Sequence, residues 1–229
     1  MKKIPVRPAT KAKQAKVFIV DDHPIVRRGL AQLINQEADL VVCGEAETIQ
    51  ATLDQWEKSA PDVALVDLSL KAESGLELIK DIKVRYPAVP VLVLSMHDET
   101  FYAERAIRAG AEGYIMKQQA SDLVLAAIRR VLGGEIYLSE PMAAKILRRA
   151  SGEQPDQLPS PMERLSDREL EVFRLIGTGL GTRKIAEQLS RSVKTVETYR
   201  EHIKEKLDLK GASELTQAAF QWLQSQNMK

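Results

Sequence analysis

From residue 17 onward the chain alternates short apolar runs with amphipathic stretches. The runs at residues 17–20, 40–44, 63–66, 91–94 and 113–116 are β-branched and short, the pattern of strands buried on both faces. Helical spacing between them predicts helices over residues 24–36, about 48–57, 75–86, 99–109 and 121–132. Pro24 suits a first helical turn, Pro87 follows a helix, and Gly110 and Gly133 suit C-caps. Five alternations of strand and helix predict an α/β fold, a doubly wound five-stranded parallel sheet covered on both faces.

Past Gly134 the pattern changes. Ser139 is an N-cap and Pro141 a first-turn residue for the short stretch MAAKILRRA. The stretch 151–161, SGEQPDQLPSP, holds three prolines and reads as a linker. Beyond it every segment is helical, over residues 167–177, 182–190, 193–207 and 214–224, which predicts a second, smaller all-α domain. Ser166 with Glu169 forms a capping box, and Ser192 and Ser213 are N-caps. The division is then a leader at 1–16, a sheet domain at 17–134, a linker helix and Pro-rich linker at 135–162, and a helical domain at 163–229. The leader has two prolines and no periodicity, and is read as disordered.

Composition adds little until it is divided. With 33 Lys and Arg against 32 Asp and Glu, the chain of 229 residues carries a net charge of +1 and a hydrophobic fraction of 44%. That excludes a disordered or collagenous chain, and a lone Cys43, inside an apolar run, excludes a disulfide scaffold and reads as a small buried hydrophobe. By segment, however, residues 1–16 carry +6, residues 17–162 carry −7 and residues 163–229 carry +2, so the neutrality is a cancellation. No apolar run approaches the roughly 18 residues of a membrane span, and a cytoplasmic location without membrane attachment is expected.

In a doubly wound sheet, ligands bind outside the C-terminal ends of the strands. The first strand ends in Asp21 and Asp22, the third in Asp67, the fourth in Ser95 and the fifth in Lys117. Carboxylates converging on one edge repel one another unless a cation neutralises them, and Mg²⁺ suits a site of carboxylates plus phosphate oxygens. A carboxylate held in line can then accept a phosphoryl group as an acyl phosphate, with a hydroxyl and an ammonium on the remaining oxygens.

These residues sit in VFIVDDHPIVRRGL, PDVALVDLSL followed by SGLELI, VPVLVLSMHDE and GAEGYIMKQQA, which resemble the receiver domain of two-component response regulators over residues 17–132. The resemblance implies a flavodoxin-like fold, with Asp67 as phosphoacceptor and Asp21, Asp22 and Asp67 as Mg²⁺ ligands. It places the phosphate-sensing hydroxyl at Ser95, the lysine at Lys117 and the switching aromatic at Tyr114. Ser69 and His97 fall where family members tune the lifetime of the acyl phosphate. His97 alone reads as an exposed loop residue, and Asp62 and Asp98 as cap or loop residues.

In the helical region, apolar Val172, Leu175 and Ile176, then Ile185, Ala186 and Leu189, then Val193, Val196, Ile203 and Leu207 give three helices inner faces. The last two are separated by Ser190, Arg191 and Ser192, the tight turn of a helix-turn-helix. Periodicity alone also admits a small helical interaction domain. Residues 181–206 hold seven basic and four acidic groups, and Arg183, Lys184, Arg191, Lys194 and Lys204 are candidate phosphate contacts. The segment 165–209 is similar to the LuxR-type helix-turn-helix, which places Thr195, Glu197, Thr198, Arg200 and Glu201 on the recognition helix. Two departures stand out: Gly181 and Thr182 replace a small-polar pair, and base-facing positions carry Glu197 and Glu201 where some relatives carry Lys. Either these acids accept from cytosine N4, or they pair with Lys194, Arg200 and Lys204; a mixture is expected.

Together the two resemblances imply a response regulator of the NarL/FixJ type. They imply a transcription regulator rather than an enzyme, phosphorylated by a sensor histidine kinase, binding double-stranded DNA and forming a homodimer when phosphorylated. The alternatives are an orphan regulator whose receiver only dimerises and a Mg²⁺-dependent phosphohydrolase. The helix at 214–224 serves either as dimer seam or as lid on the helical core.

Overall fold

The computed structural model describes residues 14–70, 73–151 and 160–227. Its sheet strands are β1 (Ala15–Val20), β2 (Leu40–Ala46), β3 (Val63–Val66), β6 (Val91–Ser95) and β7 (Gly113–Met116), all parallel, in the order β2-β1-β3-β6-β7. Alternation along β1 divides the core. Val17 and Ile19 face Leu30 and Ile34 of α1 (Pro24–Asn35) and Val124, Ala127 and Ile128 of α5 (Ala120–Leu132). Phe18 and Val20 face the other layer, formed by α2 (Ile49–Ser59), α3 (Gly75–Arg85) and α4 (Glu99–Ala109). This is the doubly wound architecture the sequence predicts, and its topological switch point lies between β1 and β3.

Several local expectations need correction. The first strand begins at Ala15, within the expected leader, because β1 is interior to the sheet and its backbone must be paired. Ala15 N–H donates to Asp39 O, and Lys16 N–H to Asp62 Oδ2 at 2.8 Å, so Asp62 anchors the strand start. The rest of the leader through residue 13, and residues 152–159 of the linker, lie outside the described residues. Gly133 stays right-handed (φ −77°), and Gly134 takes the left-handed turn (φ +82°). Two short strands not anticipated, β4 (Ser69–Leu70) and β5 (Glu73–Ser74), pair antiparallel just after Asp67. Cys43 is half-buried with Sγ 3.4 Å from Val17 O, and burial raises its thiol pKa.

The linker helix α6 (Glu140–Ala150) starts at Ser139, whose Oγ accepts from Met142 N–H. The helical domain comprises α7 (Asp167–Gly177), α8 (Thr182–Gln188), α9 (Val193–Leu207) and α10 (Ala212–Asn227). The Ser166 and Glu169 capping box is present on α7. Helix α8 stops at Gln188 because Ser190 adopts φ +49° in the turn. Helix α10 starts one residue before Ser213, which therefore lies inside its first turn. Leu215 and Ala219 of α10 are fully buried with Phe173 and Ile176 of α7, so this face of α10 is the lid of the helical core.

Candidate functional site

The strand ends bring Asp21, Asp22, Asp67, Ser95 and Lys117 to the sheet edge where β1 and β3 part. Asp21 and Asp67 are each 2% exposed, and Ser95 is fully buried. Lys117, in the short 3-10 turn after β7, spans them, with Nζ 2.7 Å from Asp67 Oδ2 and 2.7 Å from Asp21 Oδ2. Asp67 Oδ1 accepts from Ser69 N–H at 3.2 Å, which aims the carboxylate out of its strand. Burial pushes the Asp67 pKa up to about 6 against the pull of Lys117, and Asp21 adds to the rise. Burial disfavours the Lys117 ammonium, yet the two carboxylates outweigh it and raise its pKa.

One ammonium does not balance three carboxylates. Ligand atoms of Asp21, Asp22, His23 and Asp67 lie within 4.8 Å of one another, close enough to share one ion. The three carboxylates of this set fit a hard divalent cation.

Tyr114 points inward, 1% exposed, with its hydroxyl donating to His97 O at 2.8 Å. Ser95 Oγ accepts from His97 N–H at 3.2 Å. His97 itself is not the exposed loop residue its position suggests. Its Nε2 is 2.7 Å from Ser69 Oγ, and its ring stacks on Tyr102 of α4 with centroids 4.4 Å apart. Burial, with Arg174 and Lys117 nearby, lowers its pKa to about 3, so it is neutral. Asp98 caps α4 by accepting from Thr100 N–H.

Arg174 belongs to α7, and its proximity marks an interface that sequence spacing cannot reveal. A cleft between the domains is lined by Ser69, His97 and Tyr102 on one side and Asp167, Glu171 and Arg174 on the other. Asp167 pairs with Lys80 Nζ at 3.0 Å and Arg105 Nη1 at 2.9 Å, which hold its carboxyl pKa low although burial opposes them. Arg168 reaches Glu77, and Phe101 of α4 meets Trp222 of α10 edge to face, centroids 5.6 Å apart. Arg149 of α6 binds both Glu104 and Glu163, strapping α4 to the segment before α7.

The other candidate face lies on α8 and α9. Arg183, Lys184, Arg191, Lys194, Glu197, Thr198 and Glu201 are exposed, and Thr195, Arg200 and Lys204 are half-buried. Ser192 caps α9 through Thr195 N–H at 3.0 Å. Glu201 pairs with Lys204 at 2.8 Å, whereas among the described residues no ion pair reaches Glu197.

Comparison with known proteins gives this arrangement a family. Residues 17–129 match the response regulator receiver domain, and residues 163–219 match the bacterial regulatory proteins of the luxR family. The chain is 38% identical over 210 residues to the oxygen regulatory protein NreC of Staphylococcus aureus (strain JH9), covering 90% of this chain and 96% of that protein. The chain belongs to the response regulators with a LuxR-type DNA-binding domain. NreC of Staphylococcus carnosus (strain TM300) is 35% identical over 209 residues, covering 90% of this chain and 96% of that protein. Among solved structures, RcsB from Salmonella enterica serovar Typhimurium, bound to a promoter in the presence of phosphomimetic BeF3−, has a TM-score of 0.67 and 29% identity, over 93% of this chain and 100% of that one. These regulators act by binding DNA and are not enzymes. Receiver domains typically bind Mg²⁺ at acidic residues, and this receiver has such an acidic cluster. Among the described residues no helix is long and apolar enough to cross a membrane.

Proposed function

We propose that Asp67 of this response regulator accepts a phosphoryl group from a partner histidine kinase, and that the acyl phosphate favours a DNA-binding, homodimeric state. The observation that carries this reading is the buried Asp67 carboxylate, held by Lys117 at 2.7 Å beside Asp21. Asp67 attacks phosphorus as the bond to the kinase imidazole breaks, and the imidazole, protonated on its other ring nitrogen, leaves neutral. Asp21, Asp22 and Asp67 would hold Mg²⁺, which supplies charge neutralisation to the phosphoryl oxygens. Lys117 exchanges its bond to Asp67 for a phosphoryl oxygen, and the Ser95 hydroxyl donates to another.

Ser95 and Tyr114 both bond the backbone of His97, whose ring bonds Ser69 and stacks on Tyr102 at the domain cleft. A shift of Ser95 toward the phosphate therefore disturbs the surface on which α7 rests, with Tyr114 as the switching aromatic. The acyl phosphate acts by favouring one of two arrangements, docked or open.

Arg183, Lys184, Arg191, Lys194, Arg200 and Lys204 are assigned to phosphate contacts, and Thr195, Glu197, Thr198 and Glu201 to the base-facing side of α9. Glu201 is occupied by Lys204, which leaves Glu197 as the acid free to accept from cytosine N4. Unchanged operator preference in both Glu197→Ala and Glu201→Ala would remove that readout. The domain division, with a receiver to residue 134 and a DNA-binding domain from residue 163, follows the same reading, as does a cytoplasmic location.

The test treats the purified protein with Mg²⁺ and a small phosphoryl donor, and follows mass, oligomeric state and DNA binding. Wild type gains one phosphoryl group, dimerises and binds DNA more tightly, whereas Asp67→Asn does none of these. Identical behaviour of the two would leave an orphan regulator.

A further inference from the structure

The acid cluster includes a nitrogen donor that the phosphoryl-transfer reading does not use. His23 Nδ1 lies 2.7 Å from Asp22 Oδ1 and 3.3 Å from Asp21 Oδ1. Its position is built into the backbone: His23 N–H donates to Asp21 Oδ1 at 2.8 Å, and Pro24 follows as the first residue of α1. A residue before proline is confined to extended backbone, and His23 sits there at φ −92° and ψ 106°. The side chain is 59% exposed, so its ring can turn without unpacking the core. One atom from each of Asp21, Asp22, His23 and Asp67 falls within 4.8 Å of all the others.

We propose that His23 is a nitrogen ligand of this cation site and shifts its preference from Mg²⁺ toward the later first-row divalent ions such as Co²⁺. The inference rests on the reading that the acid cluster holds a divalent cation. Oxygen donors alone serve Mg²⁺, which gains little from imidazole, whereas affinity for nitrogen rises along the series from Mn²⁺ through Co²⁺ to Ni²⁺. On binding, the contact of Nδ1 with Asp21 Oδ1 is exchanged for a dative bond from Nδ1. Imidazole ligates a metal through a ring nitrogen that carries its lone pair, with the ring proton on the other nitrogen.

A purely capping role for His23 makes the opposite prediction. As a donor to Asp21 it competes with every cation, so its removal would tighten Mg²⁺ and Co²⁺ alike. The experiment titrates metal-free full-length wild type, His23→Gln and His23→Ala with Mg²⁺ and with Co²⁺ by calorimetry. Pulsed electron paramagnetic resonance of the Mn²⁺-loaded proteins then reads ¹⁴N coupling. Both variants are expected to lose roughly tenfold in Co²⁺ affinity, to change little for Mg²⁺, and to lose a ¹⁴N coupling that wild type shows. Equal shifts for both ions, or no difference in ¹⁴N coupling, overturns the role of His23 alone. Failure of wild type to bind either ion overturns the underlying cation site as well.

Discussion

Arg105 of α4 and Asp167 at the start of α7 meet at 2.9 Å across the domain boundary, and the same guanidinium donates to Met162 O at 2.9 Å and Leu165 O at 2.7 Å. One side chain thus holds three acceptors at and just beyond the end of the linker. Arg105→Ala strands the Leu165 carbonyl, leaves Met162 O with Leu165 N–H alone and Asp167 with Lys80 alone, so docking should weaken by about 1–3 kcal/mol. The unphosphorylated variant should show a larger radius of gyration in solution scattering and tighter DNA binding than wild type. Unchanged scattering would show that the ion pair does not hold the domains.

Trp222 carries a cost within the docked arrangement. Its Nε1 is buried with no hydrogen-bond partner, while its ring packs on Phe101 and Phe173. Trp222→Phe keeps an aromatic ring and removes the unpaired donor, which should favour docking by about 1 kcal/mol. Reduced DNA binding by the unphosphorylated variant is the expected outcome, and the phosphorylated protein should need more donor to reach half-maximal binding.

Metal-free protein should pay at neutral pH for an ionised Asp67. Its native pKa of about 6 exceeds the unfolded value of 3.8, so the native state binds more protons between these values and stability falls as pH rises. The difference amounts to about 3 kcal/mol above pH 6. Asp67→Asn should therefore melt higher than wild type at pH 7 in chelator, and the gap should close near pH 4. A pH-independent gap would assign the effect to packing instead.

His97 works in the opposite sense. Its native pKa of about 3 lies below the usual 6.5, so its contribution is complete above pH 6.5 and is lost as pH falls through that value and below. His97→Gln removes this slope while retaining a polar partner for Ser69. Thermal melts of the two proteins should converge as pH falls from 6.5 toward 4; parallel curves would count against burial of the neutral ring.

At Gly75 an added Cβ would lie 2.1 Å from Asp67 O and 2.6 Å from Leu68 Cα. Those contacts are backbone and cannot rotate aside. Gly75→Ala should cost about 2 kcal/mol or more and slow phosphoryl uptake from a small donor by displacing Asp67. Normal uptake kinetics would show that the loop absorbs the methyl group.

The strands and their acid ends were legible because period and turn residues are local. Val17 and Ile19 against Phe18 and Val20 already divide the two faces, and Asp21 and Asp67 follow their strands directly. The environment of His97 was not legible, since its partners Ser69 and Tyr102 and the nearby Arg174 come from three other elements, one of them in the second domain. For His23 the sequence signal is ambiguous: it adjoins Asp22, but a helix-cap position explains a histidine before proline without any ligand. Helix α10 illustrates an ambiguity only packing resolves. Its Leu215 and Ala219 close the helical core, yet Phe220 on another face remains 54% exposed and available to a second copy.

The two tryptophans of the chain occupy contrasting places. Trp56 is 2% exposed inside the receiver, stacked on Tyr86, and Trp222 lies in the seam between domains. Opening the seam wets one indole and leaves the other dry. Intrinsic emission therefore divides into a constant internal standard and a variable component, and its red shift and quenching report domain opening in real time without an attached dye.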